Sequence, residues 1–125
     1  NSYLQPHKYQ LNFYMSETIT FEDFTKVDLR VGPIIEVHDF PEARTPAYQL
    51  TIDFGTLGIK KSSAQITTMY KKEDVINRQI VAVVNFPEKQ IGKFMSECLV
   101  LGAVNDKDVM LLHPEDKVLN GTVVS

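Results

Sequence analysis

The chain has 125 residues, 43% of them hydrophobic and 23% charged, with one cysteine and a net charge of −3. That length holds one substantial core and is too short for two. The composition excludes a disulfide scaffold and a long apolar membrane helix, and the acidic balance argues against a generic polybasic nucleic-acid binder. The first residues lack the basic-then-apolar pattern of a secretion signal, and Cys98 has no second cysteine to pair with. A cytoplasmic location is therefore expected.

Residues 1–14 hold three of the five tyrosines and no acid. They are expected to be an added leader or a flexible arm, leaving 15–125 as the domain. Thr20 stands three residues before Asp23, a helix-start signal, and Phe21, Phe24 and Val27 recur at helical spacing. One short helix packed against the rest is predicted there. Leu29, Val31, Ile34, Ile35 and Val37 then mark a long strand interrupted at Gly32-Pro33, where a bulge or sharp bend is expected. The segment 40–46 contains two prolines and reads as a loop. Tyr48, Leu50, Ile52 and Phe54 alternate with Gln49, Thr51 and Asp53, the period of a strand with one buried face.

After a glycine turn at 55–58, residues 59–66 form a polar strand. Residues 67–77 have a helical look, with Met69, Val75 and Ile76 as inner positions. Buried strands follow at 79–84, 99–101 and 109–112. Three strands, a short helix and further strands is the element order of an OB-fold. The fold class expected is all-β: a five-stranded OB-fold barrel with short helices and added terminal strands. The binding face of such a barrel would carry Lys60, Lys61, Ser62, Ser63 and Gln65 as outward donors. From Lys60 to Lys93 there are seven basic and three acidic residues, a net of +4, which leaves −7 for the remainder. Such a segment forms either an anion-facing patch or an ordinary solvated surface.

Catalytic signatures are missing. The three histidines are scattered, and no HExxH, GxSxG, cysteine pair or phosphate-cradling glycine loop occurs. Cys98 beside Glu97 reads as a half-buried strand cysteine with a dulled thiolate. No enzymatic activity, cofactor or metal is expected. The informative stretch is 85–97, between two buried strands. It mixes the polar Asn85, Lys89, Lys93 and Ser96 with the apolar Phe86, Ile91, Phe94 and Met95. Cations beside aromatic rings suit phosphate contact with base stacking. Phenylalanine and methionine together equally suit an adaptable groove for unfolded peptide.

The blocks "KVDLRVGPI", "FPEA", "IDFG" and "VVNFPEKQIGKFMSE" followed by "LVLGA" resemble the tRNA-binding-domain family, over roughly 19–124. "SSAQIT" followed by tyrosine, and "VVNFP", are similar to the CsaA branch, whose members are regarded as export-linked chaperones with peptide-binding ability. The resemblance implies an OB-fold homodimer whose partners are unfolded or export-bound polypeptide, with tRNA as a further partner. By resemblance Asn85, Lys89, Lys93 and Ser96 join Lys60, Lys61, Ser63 and Gln65 as a tRNA or anion set. Phe86, Ile91, Phe94 and Met95 form the peptide set. Arg30 matches the first-strand arginine, and its plainer role is a structural partner of Asp28 or Asp53. Glu97 departs from the glycine usual in tRNA binders, and an acid there repels phosphate. Apolar residues near the C-terminus, including Leu111, Leu112, Val118 and Val123, are expected to be exposed and to bury against a second copy.

Overall fold

The computed structural model describes residues 16–125. The expected leader at 1–14 lies outside them. Helix α1 (Phe21–Thr25) begins as the sequence indicates. The Asp23 backbone N–H donates to Thr20 Oγ1 at 3.0 Å, and the Asp23 carboxylate accepts from the Thr20 N–H in return. The expected packing against the barrel is slight, with Phe24 only half-buried. The helix buries no residue, and Phe21 is 78% exposed. Five residues are too few for a second apolar turn to reach the core.

Strand β1 (Leu29–Asp39) is continuous, with no break at Gly32-Pro33. Those residues mark a change of partner instead. Positions 29–33 pair with β4 (Gln79–Val83), while 34–39 pair with β2 (Tyr48–Asp53), and the register slips between Ile34 and Glu36. One strand thus serves two halves of the sheet. Gly32 is needed at the bend because a Cβ there would lie 2.5 Å from the Asp53 carbonyl oxygen and 2.9 Å from the Phe54 ring.

β2 pairs with β3 (Ile59–Ala64) across a 3-10 turn at Gly55–Leu57, and β4 pairs with β7 (Leu99–Val100). The strand order β3-β2-β1-β4-β7 curls into a nearly closed five-stranded barrel, the predicted OB-fold. Between β3 and β4 the expected helix shrinks to one turn, α2 (Lys72–Val75). Thr67 and Thr68 are poor helix formers, and Asn77 at φ 66° ends the segment in the left-handed region. Val75 is fully buried as predicted. Met69 and Ile76 are 45% and 38% exposed, and Ile66 and Tyr70 take the inner positions. The Tyr48 hydroxyl donates to the Tyr70 carbonyl at 2.7 Å, and the Leu111 N–H donates to the Tyr70 hydroxyl at 3.0 Å.

Two hairpins are appended: β5 (Lys89–Ile91) with β6 (Phe94–Ser96), and β8 (Gly102–Asn105) with β9 (Asp108–Leu111). A last strand, β10 (Val123–Val124), pairs with the start of β1. Arg30 secures that end, donating to Asp28 at 2.7 Å and to the Gly121 carbonyl at 3.0 Å. Asp53 caps the Gly55 N–H instead. Leu111 is buried, contrary to expectation, because it lies opposite Gly102 and faces the core. Leu112, Val118 and Val123 are exposed or nearly so, as is Leu119.

The core is Ile34, Leu50, Ile52, Phe54, Ile80 and their neighbours, and it includes Cys98. Cys98 is fully buried at the bend between β6 and β7 rather than half-buried within a strand. Burial pushes its thiol up to about 12; the nearby Glu97 adds to this, and a hydrogen bond with Ser62 and the charge of Lys60 oppose it. The folded protein therefore holds a proton that the unfolded chain releases above its ordinary value of 9.0. The stabilisation is complete below pH 9 and is lost as pH rises from about 9 to about 12. Guanidinium unfolding across that range should show wild type losing more stability than Cys98→Ala. Equal losses would show that the thiol titrates alike in the folded and unfolded states.

Candidate functional site

Within the stretch 85–97, residues 89–96 fold as the β5–β6 hairpin. Gly92, at φ 61°, makes its two-residue turn with Lys93. Lys89 stands opposite Ser96, Gln90 opposite Met95 and Ile91 opposite Phe94. Cross-strand partners share a face. Ile91, Phe94 and Ser96 therefore point one way, and Met95 and Gln90 the other. Ser96 is fully buried, Ile91 and Phe94 are half-buried, and Met95 is 38% exposed. The apolar set drawn from sequence thus divides. Ile91 and Phe94 face the barrel, Met95 faces out, and Phe86, before the hairpin, is 41% exposed.

Phe94 packs on Phe40, with ring centroids 5.2 Å apart and planes tilted by 55°. A pair of this geometry contributes about 0.5–1.5 kcal/mol beyond the area it buries. Phe40 lies at the start of the proline loop after β1 and is 5% exposed. The two rings bound an open groove of about 550 Å³, also lined by Glu42, Gln49, Gly92 and Lys93. On the other side of Phe40 is a second hollow of about 450 Å³, lined by Arg44, Pro46, Tyr48 and others. Asp39 borders that hollow, and its carboxylate is neutralised by Lys72 at 2.9 Å, which also holds the Lys72 amine above its ordinary pKa. Phe40, Glu42 and Gln49 were not among the residues selected from sequence. Their signal was an aromatic at the head of the "FPEA" block, a position read only as a loop.

Gln49, on the outer face of β2, lines the groove, and β3 runs beside it. Gln49 stands opposite Ser63, and Thr51 opposite Lys61. Ser63 and Ser96 are buried, and the Ser63 N–H donates to Ser96 Oγ at 3.3 Å. Both serines join hairpin to barrel beneath the surface a ligand would touch. Lys61 is exposed on this face, whereas Lys60 stands opposite Ile52 on the other. Glu97 is engaged with the β3 backbone. Its N–H donates to the Lys61 carbonyl at 2.7 Å, and its carboxylate accepts from the Lys61 N–H at 2.9 Å. The charge remains beside Lys61.

Two further residues, Asn85 and Gln65, lie elsewhere, while Lys89 shares the hairpin face of Ile91 and Phe94. The Asn85 amide donates to the Lys26 carbonyl at 2.7 Å and accepts from the Asp28 N–H at 3.0 Å, pinning the end of α1 to the barrel. Gln65 follows the end of β3 and lines a separate slot. Lys89 is exposed on the hairpin's first strand. The geometry therefore gathers Lys93 and Phe94 with Phe40, Glu42 and Gln49 around the groove. Among the described residues no cluster of histidine, cysteine or carboxylates is arranged to hold a metal.

A family model described as "Putative tRNA binding domain" matches residues 29–123. Methionine–tRNA ligases of Thermococcus onnurineus and Pyrococcus horikoshii are 35% and 36% identical over 105 and 108 residues, which is 84% and 86% of this chain. The chain spans only 14% and 15% of the length of those ligases. Among solved structures, chaperone CsaA from Bacillus anthracis str. Ames superposes with a TM-score of 0.83 at 54% identity, covering 87% of this chain and 100% of that one. The CsaA chaperone from Picrophilus torridus does so with a TM-score of 0.81 at 53% identity, covering 86% and 100%.

Proposed function

This chain belongs to the tRNA-binding-domain family, and from that premise we propose that it is a CsaA-like chaperone holding unfolded, export-bound polypeptide in the groove between Phe40 and the β5–β6 hairpin. The observation that carries this reading is the Phe40–Phe94 shelf, set in an open groove on a chain more than half identical to two proteins described as chaperones. An extended segment can lay apolar side chains on the half-buried Phe94 ring, which the buried Phe40 backs. Gln49 and the oppositely charged Glu42 and Lys93 at the rim can take its polar groups. Such a surface discriminates weakly between sequences, as a chaperone requires. Its mixed charge also makes binding tolerant of salt.

A second reading, tRNA binding, is favoured by the family match and by Lys61 and Lys93 on one side of the barrel. Phosphate contacts would make it steeply salt-dependent. Glu97 beside Lys61 and the net charge of −3 weigh against it as the main activity. The working unit in this proposal is a cytoplasmic homodimer. Ile19, Phe21 and Leu119, at 63%, 78% and 85% exposed, supply apolar surface for a second copy. Light scattering should give the mass of two chains, and a one-chain mass would remove the dimer.

For the chaperone itself, the chain should suppress aggregation of a chemically denatured client, with little change between 50 and 500 mM salt. Phe94→Ser, which removes half the shelf, should weaken client binding by about tenfold while the barrel stays folded by circular dichroism. No suppression with any of several denatured clients would sink the proposal.

A further inference from the structure

A further concavity lies where the barrel fails to close. β3 and β7 are the two ends of the strand order and share no ladder. Near the start of β3 the seam is laced shut. Lys61 and Glu97 exchange two hydrogen bonds, and Ser62 Oγ donates to the Cys98 carbonyl at 2.8 Å. Past Ala64 the lacing stops, and the segments 64–66 and 99–101 flank a slot of about 130 Å³ roofed by the β8–β9 hairpin. Its deepest lining includes Ile66 and Leu111, which are buried, and its rim includes Val104 and Val109, which are half-buried.

Three properties define what fits. No lining residue is charged, so a phosphate or carboxylate would lose its hydration without a counter-charge. The volume is that of one side chain, since apolar cavities of roughly 150 Å³ accept a single benzene-sized group. The one polar side chain is the half-exposed Gln65, whose carboxamide makes no hydrogen bond among the described residues. A carboxamide offers a donor and an acceptor together, the complement of a peptide group. We infer that this slot is a second client subsite, taking one leucine, isoleucine or valine side chain of an extended polypeptide while Gln65 holds the adjoining peptide group. The inference rests on the chaperone reading above and adds a side-chain preference that the open Phe40–Phe94 groove does not impose.

The probe is N-acetyl-leucinamide, one aliphatic side chain between two amide groups, with N-acetyl-glycinamide as control. Titrated into the full chain carrying labelled methyl groups, the leucine compound should shift the methyl signals of Leu99, Leu101, Val104 and Val109. The glycine compound should not. Val104→Trp, which fills the slot from its rim, should erase those shifts and weaken binding of reduced, carboxymethylated α-lactalbumin at least tenfold. The wild-type titration decides the matter even where Val104→Trp fails to fold.

Unmoved slot methyls would overturn the inference. If wild type still held the denatured lactalbumin and Phe94→Ser still weakened it, the chaperone reading would survive that loss. Failure of wild type to bind denatured lactalbumin at all would remove both. Slot shifts produced by tRNA, or by raising protein concentration without probe, would assign the slot to nucleic acid or to a second copy and also overturn the inference.

Discussion

The barrel depends on one strand changing partners. β1 pairs with β4 through its first five residues and with β2 beyond them. At the bend the Phe54 ring and the Asp53 carbonyl occupy the space where a side chain on Gly32 would be. Without that close approach β2 and β4 could not be hydrogen-bonded to the same strand at this curvature. The sheet would stay open, and β3 would not reach β7. Pro33 fits because it sits where the strand hands over from one partner to the other, while Ile34 on its far side donates to the Arg78 carbonyl at 2.9 Å. Ile34, Leu50, Ile52 and Phe54 are all fully buried as a result.

Closure then determines what the surface can do. The curled sheet brings Lys61–Ser63 against Ser96–Cys98, and side chains join them where a backbone ladder would otherwise run. This lacing fixes the base of the β5–β6 hairpin, so Phe94 is delivered onto Phe40 from a rigid support rather than a free loop. Where the lacing ends, the same seam leaves an uncharged slot. One groove with mixed charge and one slot with none is a poor match to a run of phosphates. It is a reasonable match to a polypeptide, whose apolar side chains and neutral amide groups alternate. Under the proposed reading, the exposed Lys61 and Lys93 would serve tRNA as a further partner.

Much of this was legible in the sequence, for identifiable reasons. The alternation of Tyr48–Phe54 and the capping pair Thr20–Asp23 are local signals, and both appear where expected. The strand–helix order gave the barrel because few folds share it. Gly32 was recognised as a point of curvature, but its actual partner, Phe54, lies 22 residues away, and no local pattern announces such a contact. The helix at 67–77 was over-read because Met69 and Ile76 fit a helical period while Thr67, Thr68 and Asn77 resist one. At the site, residue types were legible and their directions were not. Lys60 and Lys61 diverge because adjacent residues on a strand face opposite ways. Phe94 and Met95 do the same on strand β6. Ser63 and Ser96 looked like ligand donors, but they are the lacing. Phe40 was passed over because its importance comes only from Phe94, 54 positions later.

The central claim is that the groove is built for polypeptide first and nucleic acid second. The most direct test is to measure affinity for a denatured protein and for total tRNA with the same preparation across a salt series. Polypeptide binding should change less than about twofold between 50 and 500 mM salt, while any tRNA binding falls steeply, because each phosphate contact releases counterions. Tight tRNA binding that survives physiological salt, with no measurable affinity for the denatured protein, would contradict the account.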